Sequence, residues 1–227
     1  MLSHTSFRTK AVAIAALFLA PAAACGVLVV PDGLSPGDTY HYAFVTDGTT
    51  TATSTDIADY NTFVQNEAQR AGAYTKDWGI QWFAIGSTAT VDARENAVVS
   101  APVYMLDGTQ IATGYADMWA PKYINISVEG VAITEVRIWT GSNLDGTTSS
   151  NPLGNPNENT ATLTDVFTNE TVIHSQAPKT YAARMYGLSE ILCVGYCIAI
   201  PEPSMLYVWS GLATAGVWVS LRRRRKP

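Results

Sequence analysis

The last 27 residues constrain this chain most, because they join a long apolar run to a block of cations. Residues 205–221 contain no ionisable side chain except that of Tyr207. As a helix this run would reach roughly 25 Å, near the lower limit for a bilayer span. A basic cluster follows it directly: Arg222, Arg223, Arg224, Arg225 and Lys226. Because such cations stay on the cytoplasmic side, we predict a transmembrane helix over 205–221 with the preceding chain outside the cytoplasm.

Pro201, Glu202 and Pro203 stand immediately before this apolar run. The two prolines remove backbone donors and hold φ near about −65°, so this segment stays extended and cannot continue the helix. The order Pro-Glu-Pro, apolar span and terminal Arg cluster resembles the PEP-CTERM sorting signal of Gram-negative bacteria. The resemblance covers residues 201–227 and implies processing near Pro201–Pro203 by exosortase, a membrane protease. The alternative is an uncleaved tail anchor behind a proline-rich stalk.

Residues 1–24 have the pattern of a secretory signal peptide. Arg8 and Lys10 precede the apolar run 11–20, and an Ala-x-Ala site ends at Ala24. Ten apolar residues are too few to span a bilayer, whereas they are typical of a signal peptide. Cleavage after Ala24 would leave Cys25 first, so lipidation of Cys25 is an alternative in which the protein is a lipoprotein. In both cases we expect the rest of the chain to be exported.

The residues between these ends, 26–200, are called the body below. They number about 175, enough for one domain with a hydrophobic core. The body has seven Lys and Arg against 18 Asp and Glu, a net charge of −11 within a chain of −5. Such a surface repels polyanions, so we predict no nucleic-acid partner.

The first half of the body predicts two strands around one helix. Residues 39–45 are rich in aromatic and β-branched side chains, which favours a strand. Thr55 or Asp56 can cap a helix, and Gly72 is placed to end it. Its apolar residues recur at helical spacing: Ile57, Tyr60, Val64, Ala68 and Ala71. Residues 80–85 are apolar on both faces apart from Gln81, so we expect a central strand there.

The second half predicts more strands. Residues 102–106 and 109–112 flank Asp107-Gly108, a strong hairpin pattern. Residues 135–140 alternate between two faces, and residues 185–192 predict the closing strand.

Residues 141–159 form a stretch rich in Ser, Thr, Asn, Gly and Pro. A connection of this length is uncommon inside a compact domain. We therefore expect it to be either functional or mobile.

Five stretches of the body, taken in order, resemble exported bacterial domains of the C-type-lectin-like superfamily: 42–46, the helix from Asp56, 82–84, 103–117 and 138–147. The resemblance implies paired N- and C-terminal strands, helices to one side and a long loop region for ligands. The chain departs from that family, because it lacks the long-range cysteine pair and the Glu-Pro-Asn, Gln-Pro-Asp and Trp-Asn-Asp motifs. The expected fold class is α+β, C-type-lectin-like, with a mixed or antiparallel sheet, one or two helices and the C-terminal transmembrane helix.

Few residues of the body offer chemistry. Cys193 and Cys197 lie four apart in an exported chain, which favours a disulfide over free thiols. Two further ligands for a metal are missing nearby, so we predict no metal site. His41 and His174 are the only histidines of the body, and a Gly-x-Ser-x-Gly motif is absent. Asp92 and Glu95 suit a solvated face better than an acid–base pair. Four tryptophans could stack on sugar rings, and at least two should instead pack in the core: Trp78, Trp82, Trp119 and Trp139.

Together these patterns predict an exported surface or extracellular-matrix protein, sorted through its C-terminal signal. The precursor would cross the inner membrane once, with the body on the periplasmic side, before transfer to the cell surface or medium. Its partners would be exosortase and then an exopolysaccharide or a surface protein. We expect no catalytic residues and no cofactor; a secreted hydrolase with the same tail is the alternative.

Overall fold

The structure, a computed structural model, describes residues 29–120, 123–134, 136–166 and 172–195. These residues form nine strands and three helices: β1 (Thr39–Val45), α1 (Ile57–Gln69), β2 (Trp82–Ala84), α2 (Ala93–Asn96), β3 (Val103–Met105), β4 (Gln110–Ala112), α3 (Tyr115–Met118), β5 (Val136–Trp139), β6 (Thr160–Val166), β7 (Val172–Pro178), β8 (Arg184–Ser189) and β9 (Leu192–Cys193). The predicted α+β class is confirmed, with a mixed sheet and few helices.

Both predicted membrane-related ends of the chain lie outside these residues. The structure therefore does not describe the predicted signal peptide 1–24, Cys25 or the tail 201–227. Within the described part of the body, no helix combines the length and the apolar character that a membrane crossing requires.

β1 lies inside the sheet and has the predicted bounds. The strand order is β4-β3-β1-β8-β5-β6-β7. β1 runs parallel to β3, with His41 opposite Val103, and antiparallel to β8, with Phe44 opposite Gly187. All of its residues except Thr39 are buried. Hydrogen bonds on both edges and burial on both faces make β1 an interior strand of the sheet.

The end of the described chain folds back onto its beginning. β9 pairs antiparallel with β1, which places Cys193 opposite Thr39. Beyond this pair, the Val194 amide donates to the Asp38 carbonyl at 2.9 Å. The Val194 carbonyl in turn accepts the Gly37 amide at 2.9 Å. Where one closing strand over 185–192 was predicted, β8 and β9 instead pair with successive parts of β1.

α1 begins where the sequence predicted but ends at Gln69, three residues before Gly72, so the predicted stripe residue Ala71 lies beyond the helix and is exposed. Asp56 is the N-cap, and its carboxylate accepts the amide of Ala58 at 2.9 Å. Gly72 follows the helix with a φ of 92°, a left-handed conformation that glycine adopts at little cost. Tyr60, Val64 and Ala68 form the buried stripe. Capping and a period-3.6 apolar stripe are local features, which explains why this helix was predictable.

β2 corrects one prediction, because it is an edge strand and not a central one. Only Trp82–Ala84 are extended, and they pair with β8 alone among the described strands. α1 packs beside β2, and its Gln65 and Asn61 side chains accept the amides of Trp82 and Ala84. A helix therefore took the place that the sequence pattern assigned to a further strand.

The 103–112 hairpin formed as predicted, whereas the β6–β7 hairpin was missed. Gly108 adopts a φ of 88° in the predicted turn. β6 and β7 pair over seven residues, from Thr160 opposite Pro178 to Val166 opposite Val172. The alternating threonines of residues 160–164 were the overlooked period-2 pattern.

The 141–159 connection is packed against the body. Leu153 is fully buried, and its amide donates to the Ser87 carbonyl at 2.9 Å. Ser142 pairs with Thr148 in an isolated bridge. These contacts anchor the connection at several points along its length.

α1 packs on the sheet through Gly187. A Cβ at Gly187 would lie 2.7 Å from Cγ1 of Val64 and 2.8 Å from Cζ of Phe44. Such distances are shorter than a van der Waals contact, so the backbone of β8 can approach α1 this closely only without a side chain. The absence of a Cβ thus sets the spacing between helix and sheet.

We therefore expect Gly187→Ala to lower the free energy of unfolding by about 1–3 kcal/mol through overpacking. Urea unfolding followed by tryptophan fluorescence measures it. Gly114→Ala is the control, because a Cβ there meets nothing within 4 Å. Adding Val64→Ala to Gly187→Ala should cost less than the two single losses combined; strict additivity would contradict this contact.

Candidate functional site

Of the residues singled out for sorting or disulfide formation, the structure describes Cys193. It lies on β9 with intermediate exposure, and it forms no disulfide within the described residues. Cys197 lies outside them, so the Cys193–Cys197 disulfide stays a prediction. Tyr40 lies near Cys193, and burial raises the pKa of its hydroxyl to about 12. The Cys193 sulfur contributes to this increase in pKa.

Two of the four tryptophans pack in the core, as the sequence predicted for at least two of them. Trp82 and Trp139 are buried in the core, and the Trp139 indole donates to the Thr50 carbonyl at 3.1 Å. Trp78 and Trp119 are partly buried and pack against the core. Trp119 covers Gly146, where a Cβ would come within 2.4 Å of the indole ring. This contact holds part of the 141–159 connection against α3.

An aromatic row leads from the surface towards β1 and consists of Tyr74, Trp78, Tyr42 and Tyr40. Tyr74 is 43% exposed, and its ring centroid lies 5.5 Å from that of Trp78. Trp78 lies 5.4 Å from Tyr42, which meets Tyr40 edge-on at 5.3 Å. Tyr74 therefore exposes an aromatic ring that is supported from behind by Trp78, and a sugar ring can stack on such a group.

A polar groove runs along the outer side of α1. It encloses about 270 Å³ and is lined by neutral side chains: Ala58, Asn61, Thr62, Gln65, Asn66 and Gln81. No charged residue lines it. The segment that follows α1 carries Tyr74 and Trp78 and ends at Gln81, so one stretch of chain supplies both the aromatic surface and one wall of the groove.

Two amides of this groove close the outer edge of β2. Gln65 accepts the Trp82 amide at 2.8 Å and donates to the Ile80 carbonyl at 3.2 Å. One turn earlier, Asn61 accepts the Ala84 amide at 2.8 Å. Residues four apart on a helix rise about 6 Å, close to the roughly 6.7 Å between alternate residues of a strand. The helix can therefore satisfy the edge without another strand.

Asn96 completes this arrangement from α2. Its amide nitrogen donates to Asn61 and to the carbonyl of Ala84, both at 2.8 Å. Asn61 donates in return to the Asn96 oxygen at 2.8 Å. No local pattern predicted this network, because Asn61 and Asn96 lie 35 residues apart in the sequence.

We predict that Asn61→Ala lowers the free energy of unfolding by about 1–3 kcal/mol, because the Ala84 amide and Asn96 lose a partner. Chemical denaturation of the variant measures the effect. Asn66→Ala is the same substitution at an exposed position of the same helix and should stay within about 0.5 kcal/mol of wild type. Equal effects of the two changes would show that the edge of β2 does not depend on Asn61.

His41 joins three separate segments. It is 1% exposed on β1, and Nδ1 lies 2.9 Å from the Ser189 carbonyl of β8. Nε2 lies 3.2 Å from the Ser100 amide and 3.4 Å from its hydroxyl. A carbonyl only accepts and an amide only donates, so the proton is on Nδ1 and Nε2 is the acceptor.

This geometry bears on the hydrolase alternative. Ser100 is exposed, and its hydroxyl lies near a histidine, as a nucleophile would require. However, the Ser100 amide already occupies the Nε2 lone pair, and a backbone carbonyl stands where a triad would place a carboxylate. His41 instead links β1 to β8 and to the segment that precedes β3. The side chain of His174 lies outside the described residues.

Burial lowers the pKa of His41 below its ordinary value, partly opposed by the backbone hydrogen bonds at Ser189 and Glu190. The unfolded chain therefore takes up this proton near pH 6.5, whereas the folded protein takes it up only at a lower pH. It follows that stability falls as pH drops below about 6.5, by up to about 1.4 kcal/mol per pH unit.

We expect His41→Gln to remove this part of the pH dependence. The measurement is the free energy of unfolding of both proteins between pH 7 and 5, where His174 is common to the two and cancels. Parallel profiles for wild type and variant would rule out this role for His41.

Asp92 serves a structural purpose that differs from the predicted solvated face. Its carboxylate accepts the amide and the hydroxyl of Thr148, both at 2.7 Å. The hydroxyl contact is the main reason that the pKa of Asp92 is lowered. Among the described residues no cluster of three His, Cys, Asp or Glu side chains could hold a metal ion.

Cations near α1 are paired with carboxylates. Arg70 lies 2.8 Å from Asp47 and 2.7 Å from Glu129, and Arg184 lies 2.9 Å from Asp47. Gly48 also donates its amide to Glu67 at 2.7 Å. Since these guanidinium groups are neutralised internally, this cluster is a link between β1, α1 and β8 and not an anion site.

No protein-family model matches the chain, and no curated protein resembles it at a significant level.

Proposed function

We propose that this protein is an exported surface or extracellular-matrix component, sorted through a PEP-CTERM signal at residues 201–227. The observation that carries the proposal is the order of three elements in the sequence: Pro201-Glu202-Pro203, the apolar run 205–221 and the cations 222–226. The apolar run supplies membrane affinity and the cations fix its direction. The extended motif between body and membrane is the segment that exosortase would bind.

The position of β9 in the sequence agrees with this role. Gly195 follows β9 and lies six residues before Pro201. A chain of six residues spans at most about 20 Å. Because β9 is held against β1, processing would occur close to the folded body, and cutting near Pro201 would free the body without removing any described strand.

We further propose that the body is a non-catalytic, C-type-lectin-like domain that binds a glycan or a protein. Pairing of β1 with β8 and β9 supports the fold, because that superfamily joins its N- and C-terminal strands. Exposed Tyr74 and the neutral groove along α1 support glycan as the ligand class, since sugar hydroxyls pair with amides and sugar faces stack on aromatic rings. The lipoprotein alternative would add an acyl anchor at Cys25.

The sorting proposal predicts different outcomes for two sets of substitutions. Pro201→Ala, Glu202→Ala and Pro203→Ala together should leave membrane insertion intact and abolish maturation, so the full-length precursor accumulates in the inner membrane. Replacing Arg222, Arg223, Arg224 and Arg225 with serine should disturb orientation or retention instead, because four of the five charges that oppose translocation are gone.

Immunoblots of membrane and surface fractions, from cells with and without exosortase, distinguish these outcomes. A Cys25→Ser control tests whether any membrane association comes from lipidation. Normal maturation of the triple variant would show that Pro201–Pro203 is only a stalk, and the sorting proposal would then fail.

A further inference from the structure

The edges of the sheet differ in how well they are protected against further pairing. β4 has three residues, and its register with β3 shifts between Val103 and Tyr104. The outer edge of β2 is occupied by Asn61 and Gln65. β9 has two residues. β7, in contrast, has seven residues and pairs with β6 alone among the described strands.

The hydrogen bonds around β6 show which backbone groups of β7 point outwards. The Lys179 amide donates to the Asn159 carbonyl at 2.9 Å, so these two residues form a hydrogen-bonded pair. Hydrogen-bonded pairs then recur at every second residue along β6 and β7. Thr162 bonds away from β7, donating its amide to Asn151 at 2.8 Å. Gln176 is opposite Thr162, so its backbone N–H and C=O groups must also point away from β6. By the same alternation, Val172 and His174 also present their N–H and C=O groups on the outer edge.

Within the part of the chain that the structure describes, β7 lacks the features that usually protect such an edge. It contains no Lys, Arg, Asp or Glu, and its only proline is the last residue, Pro178. Natural proteins usually shorten an edge strand, charge it, bulge it or cover it. β4, β2 and β9 follow these rules in the described part of the chain, and β7 does not.

We propose that β7 is an interface on which a second copy of this chain adds its own β7, joining two sheets edge to edge. Strand addition requires an unoccupied strand edge of matching length on the partner. Among the described strands the other edges are short or covered, so the edge that a second copy can offer is β7 itself. Use of the same patch by both copies produces a two-fold axis and a closed dimer.

The alternation of β7 also sets the register of this pairing. With His174 on the two-fold axis, Val172 of each copy lies opposite Gln176 of the other. Each of these three pairs exchanges two bonds, giving about six main-chain hydrogen bonds. No like charges oppose one another, because the strand carries none of the four charged residue types. The pairing concerns the folded body and is independent of processing at Pro201–Pro203.

Proline at residue 176 tests the interface directly. Gln176→Pro removes an outward amide while leaving the bonds between β6 and β7 in place, the position at which an edge strand tolerates proline. Gln176→Ala is the matched control, since it removes the same side chain and keeps the amide. Sedimentation equilibrium of the full-length chain in density-matched detergent, over a wide concentration range, measures association.

We expect wild type and Gln176→Ala to form dimers of similar affinity. The dissociation constant of Gln176→Pro should rise at least about tenfold, because two symmetry-related hydrogen bonds are lost. A monomeric wild type would overturn the proposal, and so would a Gln176→Pro protein that dimerises as tightly as wild type. The latter result would assign the contact to another surface, such as the apolar tail that all three proteins share.

Hydrogen exchange on wild type provides a test that does not depend on how a proline variant folds. In a dimer through β7, the amides of His174 and Gln176 should exchange more slowly as protein concentration rises. The Ala177 amide, which faces β6, should be protected at every concentration. Dimers whose His174 and Gln176 amides exchange as fast as in the monomer would overturn the proposal.

Discussion

The pairing of β1 with strands from the far end of the chain is the interaction on which the rest of this structure depends. The Tyr42 amide bonds to the Ser189 hydroxyl across 147 residues of sequence, and His41 reaches the backbone at the same point. β3 completes the other edge of β1. Because these contacts are so distant in sequence, the sheet cannot close until β8 and β9 have been synthesised, and such non-local pairing is slow to form.

α1 has two roles that follow from this sheet. Its apolar stripe covers the core above Gly187, while Asn61 and Gln65 satisfy the backbone of β2. The spacing of helix and strand residues makes both roles compatible on one helix. The outward side of α1 then remains as a neutral groove, so the contacts that close the sheet also shape the surface that we propose for ligand binding.

Sorting and binding would be separate physical tasks in this protein. On the proposed function, the tail would act through hydrophobicity, charge and the Pro-Glu-Pro motif, none of which requires a folded partner. The body would act through surfaces that exist only after folding: Tyr74 supported by Trp78, the groove beside α1, and the outer edge of β7. The edges of the sheet thereby differ, since side chains cover the outer edge of β2, whereas β7 pairs with β6 alone among the described strands.

The sequence by itself determined the features with local causes. Asp56 and the period-3.6 stripe define α1, Asp107-Gly108 defines the β3–β4 hairpin, and the composition of residues 205–226 predicts their membrane affinity and direction. Only the tertiary structure decided that β2 is an edge and that His41 is a buried link. Its partners, Ser100 and Ser189, lie 59 and 148 residues away. A burial pattern records that a face is covered, whereas the identity of the covering element depends on contacts that no local pattern encodes.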